Sequence, residues 1–434
     1  MNEEPTHIAI QPSAEVVKRA TKIAGATSTR KGEPAFHMTE TLGRLSTPWS
    51  IAKARAEQID ATVLPAGVIL DAAAGSGVQL IALTTGLRRP GLAIEIDPDI
   101  ALLCAANMHS SSEEDDFQRS MDRVLVGDGC DAENAIVAFW NSLREAGTRA
   151  HPPIGMLHLD PARPRDAQKH EISEMQPSLA PLLAAWSSHL ETGPRGPAIL
   201  LDLSPRLSDD QQGLVDAVVE TTFPGIPRTW EWLSQGGGRI DRLSLWIGSI
   251  SSKKTRRCVR MGTKRVMASV EGEPRSSDVA KLERPPPFGA YLSIIDPALV
   301  HSGLHEAWLE QAVPEESGRS WLRLEGRRPL LITTDPLNTD ADIDAFVIAT
   351  GEIVQHRLSP PELRTIEQTA AAAARNGIGK ITLRCTLDPA IHPTLQRRLD
   401  KALREVDGAR GFMVDLELDR GSNGHTLYAV CKEN

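Results

Sequence analysis

The sequence has few aromatic residues and lacks several patterns that define familiar protein classes. Aromatic residues make up 4% of its 434 residues, and only two are tyrosines. A surface that stacks many nucleic-acid bases is therefore not expected. The five cysteines are far apart and form no CxxC pair. This argues against a structural zinc site and against a disulfide framework.

The chain also lacks a positive charge excess and a long apolar segment. Its formal net charge is −9, so a nucleic acid would have to be held by a local basic patch. No apolar run approaches the roughly 18 residues that span a membrane, and Met1–Pro5 is acidic, unlike a signal peptide. The histidines show no metal-ligand spacing. We therefore expect a cytoplasmic protein with no membrane contact and no metal.

The length predicts two or three domains, of which the first is a small helical unit. Residues 1–62 form this unit in our interpretation, because residues such as Val17 and Ala20 recur at helical spacing. Ser46-Thr47-Pro48 predicts a helix start, with a capping hydroxyl before a proline at the first helical position.

Strands and helices then alternate through residues 63–251, which predicts an α/β domain with a mostly parallel sheet covered on both faces. The last two strands are separated by the short segment 236–241, so they should form an antiparallel hairpin. Strands are predicted at 67–73, 91–96, 123–128, 154–160, 197–204, 229–235 and 243–250, and helices at 76–86, 98–109, 131–146, 176–191 and 209–221.

The remaining sequence predicts a connector and a further domain. Residues 252–285 form a basic, irregular connector in this interpretation, with seven basic residues and no acid from Lys253 to Arg265. After a run of three prolines, residues 286–434 are predicted to form a separate α+β domain. Its predicted elements are a helix from Pro297, a strand at 380–386, a helix at 393–405 and strands at 412–418 and 426–432.

A glycine loop in the alternating region is the strongest functional signal. An apolar strand ends at Asp71 and turns through Gly75 and Gly77 into a helix. Glycine lets a ligand approach the backbone closely because it has no Cβ. A phosphate-binding loop would need GxxxxGK[ST], which is absent. A dinucleotide fingerprint would need a third glycine where Leu80 stands.

A second acid points to S-adenosylmethionine (SAM) as the cofactor. Glu95 ends the next strand, where a carboxylate can accept both hydroxyls of a ribose. In this interpretation the backbone from Ala73 to Gly77 meets the amino-acid part of SAM, and Asp71 orients the loop or the SAM ammonium. Asp128, at the end of the third strand, would lie near the adenine amino group. A turn acid before a helix is the alternative for Asp128.

The fourth strand ends in a candidate catalytic motif, Asp160-Pro161-Ala162-Arg163. A carboxylate and a proline carbonyl can hold the N–H groups of an amine so that its lone pair faces a methyl donor. Amino-methyltransferases carry an aromatic residue in place of Arg163, whose guanidinium can stack on a base or bind a phosphate. The alternative is an Asp-Pro turn without a catalytic role.

These motifs together resemble the bacterial and archaeal class I methyltransferases that carry a C-terminal THUMP-like domain. The resemblance rests on the DPAR motif at 160–163, on STPW at 46–49, on the hairpin around Trp230 and on Tyr291–Val300. It covers the chain from about residue 35 onward, although the second arginine that usually follows DPAR is Pro164 here. The helical lead is distantly similar to that of trimethylguanosine synthases. The resemblance implies a Rossmann-like sheet and, by analogy with THUMP domains, an RNA partner.

The leading hypothesis is a SAM-dependent methyltransferase that N-methylates a base in structured RNA, either tRNA or rRNA. Lys253–Arg265 and the C-terminal domain would present the RNA, although a solvated linker or a protected strand edge also explains the basic run. Two other classes remain open. One is a methyltransferase for a small molecule or a protein, and the other is a non-catalytic RNA-binding protein with a degenerate SAM fold.

Overall fold

The chain is represented by a computed structural model that describes residues 7–28, 33–111, 120–162, 172–419 and 425–433. It divides into two compact units, each with its own hydrophobic core. The first unit comprises Met1–Glu231, Arg242–Thr255 and Thr263–Arg265, and the second comprises Trp232–Asp241, Arg256–Gly262 and Val266–Asn434.

The first unit alternates strands and helices. Its strands are β1 (Ile8–Ile10), β2 (Ala26–Thr27), β3 (Phe36–His37), β4 (Val68–Asp71), β5 (Gly91–Glu95), β6 (Arg123–Val126), β7 (Ile154–Leu159), β8 (Ala198–Leu203), β9 (Arg228–Ser234, the last three residues of which are in the second unit) and β10 (Arg242–Gly248). Its helices are α1 (Ala14–Ile23), α2 (Glu40–Leu45), α3 (Trp49–Gln58), α4 (Val78–Leu87), α5 (Pro98–Ser111), α6 (Ala132–Glu145), α7 (Leu179–Trp186) and α8 (Asp209–Thr222), with a 3-10 turn at Ile172–Glu174.

The main sheet of this unit is rich in parallel pairs. Its strands follow the order β1-β6-β5-β4-β7-β8-β10-β9. The pairs β4/β5, β5/β6, β4/β7 and β7/β8 are parallel, whereas β1/β6 and β8/β10 are antiparallel. The predicted α/β sheet and its final hairpin are therefore confirmed, and every predicted strand and helix of this region overlaps an observed one.

Continuous apolar sequence explains why these strands lie at the centre. All residues of β4, β7 and β8 are buried, as expected for parallel strands that are covered on both faces. Helix α4 is buried over most of its length, and α5 packs against both α1 and α4. This packing fixes the carboxyl ends of the parallel strands, where ligands bind in sheets of this type.

The N-terminal region differs from the helical unit that its periodicity predicts. It contains α1, α2 and α3, but β2 and β3 form a short antiparallel ladder, and β1 joins the main sheet beside β6. The helix start at Ser46-Thr47-Pro48 is placed correctly, since α3 begins at Trp49. The predicted hydroxyl cap is wrong, because Pro48 is the N-cap residue and no side chain caps it. The Thr47 side chain has other partners, described below.

The second unit is an α+β structure with a separate sheet. Its strands are β11 (Arg256–Met261), β12 (Val266–Gly272), β13 (Tyr291–Ile295), β14 (Arg319–Arg323), β15 (Leu330–Thr333), β16 (Val347–Leu358), β17 (Ile378–Leu383), β18 (Ala409–Leu418) and β19 (His425–Lys432). Its helices are α9 (Pro297–His301), α10 (His305–Ala312), α11 (Ala341–Asp344), α12 (Ile366–Arg375) and α13 (His392–Ala402). All of the elements predicted for the C-terminal part are found.

Strands β13 to β19 form one sheet in the order β14-β15-β13-β16-β19-β18-β17, in which β17 and β18 are parallel. Helices α12 and α13 pack on β17 and close a core around Ile381 and Leu399. The prediction of an irregular connector at 252–285 is wrong, because this segment contains the antiparallel pair β11 and β12. Alternation of buried and exposed residues in β12 is the signal for this hairpin.

Candidate cofactor and active site

The glycine loop joins β4 to α4 in a backbone conformation that favours glycine. Gly75 and Gly77 have φ angles of +52° and +78°, in the left-handed region. A Cβ at Gly77 would lie 2.7 Å from the Cys104 sulfur, so a side chain there would collide with α5. Asp71 is buried, and its Oδ1 accepts a hydrogen bond of 3.3 Å from the Ala73 amide. Asp71 therefore shapes the loop.

Glu95 connects the end of β5 to the same loop. Its Oε2 accepts a 2.9 Å hydrogen bond from the Gly75 amide, and its Oε1 accepts one of 3.0 Å from the Asp97 amide. Burial raises the pKa of Glu95 above its ordinary value, although these amide donors oppose the shift. The two predicted cofactor elements, the loop and the second acid, thus meet at one edge of the sheet.

Asp128 follows β6 and is exposed. Its Oδ1 accepts a 2.9 Å hydrogen bond from the Cys130 amide, which is the turn geometry of the alternative interpretation. The adjoining Gly129 lies against the loop, because a Cβ there would come within 2.2 Å of the Ala72 carbonyl oxygen. Asp128 is therefore a turn residue that also borders the glycine loop.

Asp160 follows β7 and is half-buried, and Pro161 is buried. Because β7 is the direct neighbour of β4, with His158 opposite Asp71, this motif begins beside the loop. Burial and the Asp202 carboxylate raise the pKa of Asp160 to about 6, while the Arg242 guanidinium opposes the rise. Arg163 lies outside the described residues.

Four buried charged residues behind these acids form what we call the His158 network: Asp71, His158, Asp202 and Arg55. The imidazole lies between two carboxylates, with Nδ1 2.9 Å from Oδ2 of Asp71 and Nε2 3.3 Å from Oδ2 of Asp202. Burial disfavours the charged imidazole, but the two carboxylates outweigh it and raise the pKa of His158 to about 10. His158 is therefore an imidazolium at neutral pH.

Asp202 is the other centre of the His158 network. Its carboxylate pairs with the Arg55 guanidinium and accepts hydrogen bonds from Gln79 Nε2 at 2.5 Å and Ser244 Oγ at 2.8 Å. Burial disfavours its charge, yet the Arg55 and His158 cations lower the pKa of Asp202 far below its ordinary value. The buried charges of the network balance, since two carboxylates face an imidazolium and a guanidinium.

The Thr47 hydroxyl links this network to Asp160. It accepts hydrogen bonds from Gln79 Nε2 at 3.1 Å and from Arg242 Nη2 at 3.2 Å. A hydroxyl has two acceptor sites and one proton, so both acceptor sites are used and the proton points to the remaining neighbour. That neighbour is Oδ2 of Asp160, at 3.5 Å. Thr47 thus contacts one of the two carboxylate oxygens of Asp160.

Sequence reasoning missed His158, Asp202, Arg55, Gln79 and Thr47 as site residues. A signal was present for the charged ones, because Asp202 stands alone in an apolar strand and Arg55 lies in an alanine-rich helix. A charged residue in a buried segment requires an opposite charge. Their pairing could not be read from spacing, because they are 147 residues apart in sequence.

Comparison with solved structures agrees with this architecture. A candidate methyltransferase from Porphyromonas gingivalis W83 aligns with a TM-score of 0.57 and 13% identity, over 97% of this chain and 89% of that chain. The chain has a Rossmann-like methyltransferase fold. A precorrin-6y C5,15-methyltransferase from Geobacter metallireducens GS-15 aligns with a TM-score of 0.31 and 12% identity, over 49% of this chain and 93% of that chain, which is too low to add to this conclusion.

No protein-family model matches the sequence, and no curated protein matches it either. The resemblance to the THUMP-like family therefore stays a prediction. Within the described ranges, no helix is long and apolar enough to cross a membrane. The same ranges contain no group of three or more histidine, cysteine or acidic residues that could hold a metal ion.

Proposed function

We propose that this protein is a SAM-dependent methyltransferase that methylates a nitrogen atom of a base in structured RNA, either tRNA or rRNA. The observation that carries the proposal is the position of Asp160. It follows β7, the parallel neighbour of β4, and β4 leads into the glycine loop. An acid that can hold an amine thus lies beside a loop suited to SAM.

The residues present fit SAM. Gly75 leaves the backbone of the loop open, since a Cβ there would have no neighbour closer than 3.8 Å, while Glu95 and Asp128 flank the loop at the ends of the next two strands. Glu95 would accept the ribose hydroxyls, the Ala73–Gly77 backbone would contact the amino-acid part, and Asp128 would lie near the adenine. When bound, SAM supplies an electrophilic methyl group on a positively charged sulfur.

Asp160 and Pro161 would hold the target nitrogen. With a pKa of about 6, Asp160 is mostly ionised at neutral pH, so its Oδ1 can accept an N–H of the base. The Pro161 carbonyl would accept the second N–H, which leaves the lone pair free to form the new N–C bond. The methyl–sulfur bond would break in the same step, and its electron pair would stay on sulfur. The nitrogen then releases a proton to solvent. Holding the amine in this way lowers the barrier through orientation and needs no covalent intermediate.

Thr47 acts as a positioning residue in this scheme. Its hydroxyl proton is directed to Oδ2 of Asp160 because Gln79 and Arg242 occupy its acceptor sites. The carboxylate is thereby fixed in rotation, and Oδ1 is presented to the substrate. The His158 network in turn holds Gln79 through Asp202.

RNA as the substrate rests on the exposed basic side chains near β11 and on the resemblance to THUMP proteins. Lys253, Lys254, Lys264 and Arg265 are exposed. Cations of this kind bind phosphates with an affinity that falls steeply with salt. Arg163, if it stacks on the base, would add to this binding.

A small-molecule substrate is the second candidate, and one observation favours it. Three of the seven basic residues of the 253–265 run have partners within their own unit. Arg256 lies over the Trp232 ring, Arg257 pairs with Glu271, and Arg260 donates to the Ala345 carbonyl. The basic run is thus smaller as an RNA-binding surface than its sequence indicates.

The test is transfer of radiolabelled methyl from SAM to total RNA from cells that lack this gene. We expect label in RNA with the unaltered protein, and a loss of about 10²-fold or more with Asp160→Ala, because positioning of the nucleophile is removed. Asp210→Ala, an exposed acid of α8, is the matched control. RNA labelling by Asp160→Ala at the control rate would remove Asp160 from the mechanism.

Cofactor binding is measured separately by calorimetry. Glu95→Ala should weaken SAM binding by about 10- to 100-fold, since a charge-assisted hydrogen bond is lost. Asp160→Ala should leave it unchanged. Unaltered affinity in Glu95→Ala would contradict the ribose assignment. SAM binding without label in RNA would favour the small-molecule candidate.

A further inference from the structure

The second unit contains a cavity of about 570 Å³ near the ends of β14 and β17. This volume lies within the roughly 300–1,000 Å³ of typical small-molecule sites. The polar residues that line it include Arg323, Glu325, Arg327, Arg328, Thr386 and His392. None of them belongs to the candidate methyltransferase site.

The cavity wall carries more positive than negative charge. We call Arg323, Arg328, Arg384 and Asp415 the Arg328 cluster. Asp415 pairs with Arg323 at 3.2 Å and also accepts hydrogen bonds from the amide and hydroxyl of Thr386. Burial lowers the pKa of Arg328, and the Asp415 carboxylate opposes this shift, while the cations of Arg384 and Arg323 lower the pKa further. Asp415 is thus paired with Arg323, and Arg328 donates to the carbonyl oxygen of Cys385, so that three guanidiniums lie near one carboxylate.

The residues that line the cavity carry the same excess. At the rim, Arg327 and Glu325 are both exposed, so their charges offset each other and leave the excess of the cluster unchanged. The cavity wall as a whole presents three guanidiniums, those of Arg323, Arg327 and Arg328, and one carboxylate, that of Glu325.

We propose that this cavity binds a phosphate group carried by a nucleotide, either free or within an RNA chain. Guanidinium groups match phosphate oxygens in bidentate geometry, which favours phosphate over a spherical anion. Arg328 and Arg327 are the principal contacts. The RNA source rests on the proposed function, whereas the phosphate chemistry does not.

Calorimetry on the full-length protein tests the site with three probes: inorganic phosphate, adenosine 5′-monophosphate and a short single-stranded RNA. Arg327→Gln should weaken nucleotide binding about tenfold, the value of one charge-assisted hydrogen bond. Glu325→Gln should tighten binding, because it removes a repelling charge from the rim. Arg404→Gln is the matched control, since Arg404 is exposed in the same unit and does not line the cavity.

Arg327→Gln and Glu325→Gln are expected to change the affinity for the nucleotide in opposite directions. This distinguishes a specific site from general electrostatic attraction to the protein surface. Equal weakening by Arg327→Gln and Arg404→Gln, or no saturable binding of any probe, would overturn the proposal. If Arg327→Gln weakens the mononucleotide alone, the source is a free nucleotide. If it also weakens RNA, and the mononucleotide competes, the source is RNA. Binding is read without methyl transfer, so an inactive protein that still shows this pattern contradicts the proposed function alone.

Discussion

The His158 network of the first unit and the Arg328 cluster of the second both bring several charged side chains together, but the sums of their charges differ. In the His158 network, each cation faces a carboxylate at hydrogen-bond distance, and the sum of the charges is zero. In the Arg328 cluster, the Asp415 carboxylate pairs with Arg323 and accepts from Thr386, and with three guanidiniums against this one carboxylate the sum is positive. The first arrangement has no net charge, whereas the second has an excess of positive charge.

This difference assigns different roles to similar residues. A balanced buried network costs desolvation energy but holds its members in one geometry. It can therefore serve as a rigid support behind Asp71 and Asp160. An unbalanced cluster beside a cavity gains free energy when an anion enters. Burial alone does not distinguish a network that supports a site from a cluster that binds a ligand, whereas the sum of the charges does.

The largest expected effect comes from breaking the balance of the His158 network. Asp202→Ala leaves the buried Arg55 without its carboxylate partner and leaves His158 with Asp71 alone of its two carboxylates. We expect a loss of about 3–5 kcal/mol in the free energy of unfolding. Urea unfolding measures it. The exposed Asp210→Ala should change this free energy by less than about 0.5 kcal/mol. Equal losses in both variants would show that charge pairing does not hold the network.

Removal of the carboxylate of the Arg328 cluster should lower the free energy of unfolding by a smaller amount, and added anions should reduce this loss. Asp415→Ala removes a hydrogen-bond acceptor for Arg323 and Thr386, and we expect a loss of about 1–3 kcal/mol in the free energy of unfolding. Phosphate added before thermal unfolding should stabilise this variant more than the unaltered protein, because the charge excess is larger. Asp407→Ala, an exposed acid of the same unit, is the control. If phosphate stabilises all three proteins equally, no anion site is present in the cluster.

A smaller effect is expected at the link between the His158 network and Asp160. Thr47→Val should lower kcat about tenfold, which corresponds to about 1.4 kcal/mol, without weakening SAM binding. Since the lost hydrogen bond favours the ionised form of Asp160, its pKa should rise above about 6, and activity should fall at a higher pH than in the unaltered protein.

Thr47→Ser keeps the hydroxyl and should restore both kcat and the pH profile. A Thr47→Val enzyme with unaltered kcat and pH profile would remove Thr47 from its positioning role. The profile of the unaltered protein should fall below about pH 6, where Asp160 becomes protonated and can no longer accept an N–H.

The last expected effect is a pH dependence of the free energy of unfolding, which is spread over several pH units. The folded-state pKa of His158, about 10, lies above its unfolded value of about 6.5. Its contribution is therefore fully present below about pH 6.5 and is lost as pH rises through 10, with a slope of at most about 1.4 kcal/mol per pH unit. Urea unfolding between pH 7 and 10 measures it. His158→Gln should have a shallower slope, and an equal slope would contradict a charged His158.

The alternating sheet could be predicted because its signals are local. Each parallel strand is a continuous apolar run, and glycines and acids punctuate the run at its end, as in Val68–Asp71 before the loop. Strand β1 could not be found in this way. It has three residues, and its partner β6 is far away in sequence. The hairpin of β11 and β12 was not predicted because this part of the sequence is rich in basic residues, although buried and exposed residues alternate along β12.

The candidate site, like the fold, contains residues with a local signal in the sequence and residues without one. Asp71, Glu95 and Asp160 were found because strand ends are visible in sequence. The partners of Asp160 were not, since a threonine before a proline resembles a helix cap as much as a link in a hydrogen-bond chain. Whether the Thr47 hydroxyl donates to Asp160 depends on its two acceptor sites, which Gln79 and Arg242 occupy. That information exists only in three dimensions.

The pairing of β1 with β6 has a consequence for how the protein is made. Ile8 pairs with Val126, and His7 lies 3.1 Å from the carbonyl oxygen of Asp128. During synthesis, β1 emerges before β6 and must wait for this partner, which follows on the order of a hundred residues later. Strand β1 can therefore join the main sheet only after β6 has been made, and the contact of His7 with Asp128 cannot form earlier.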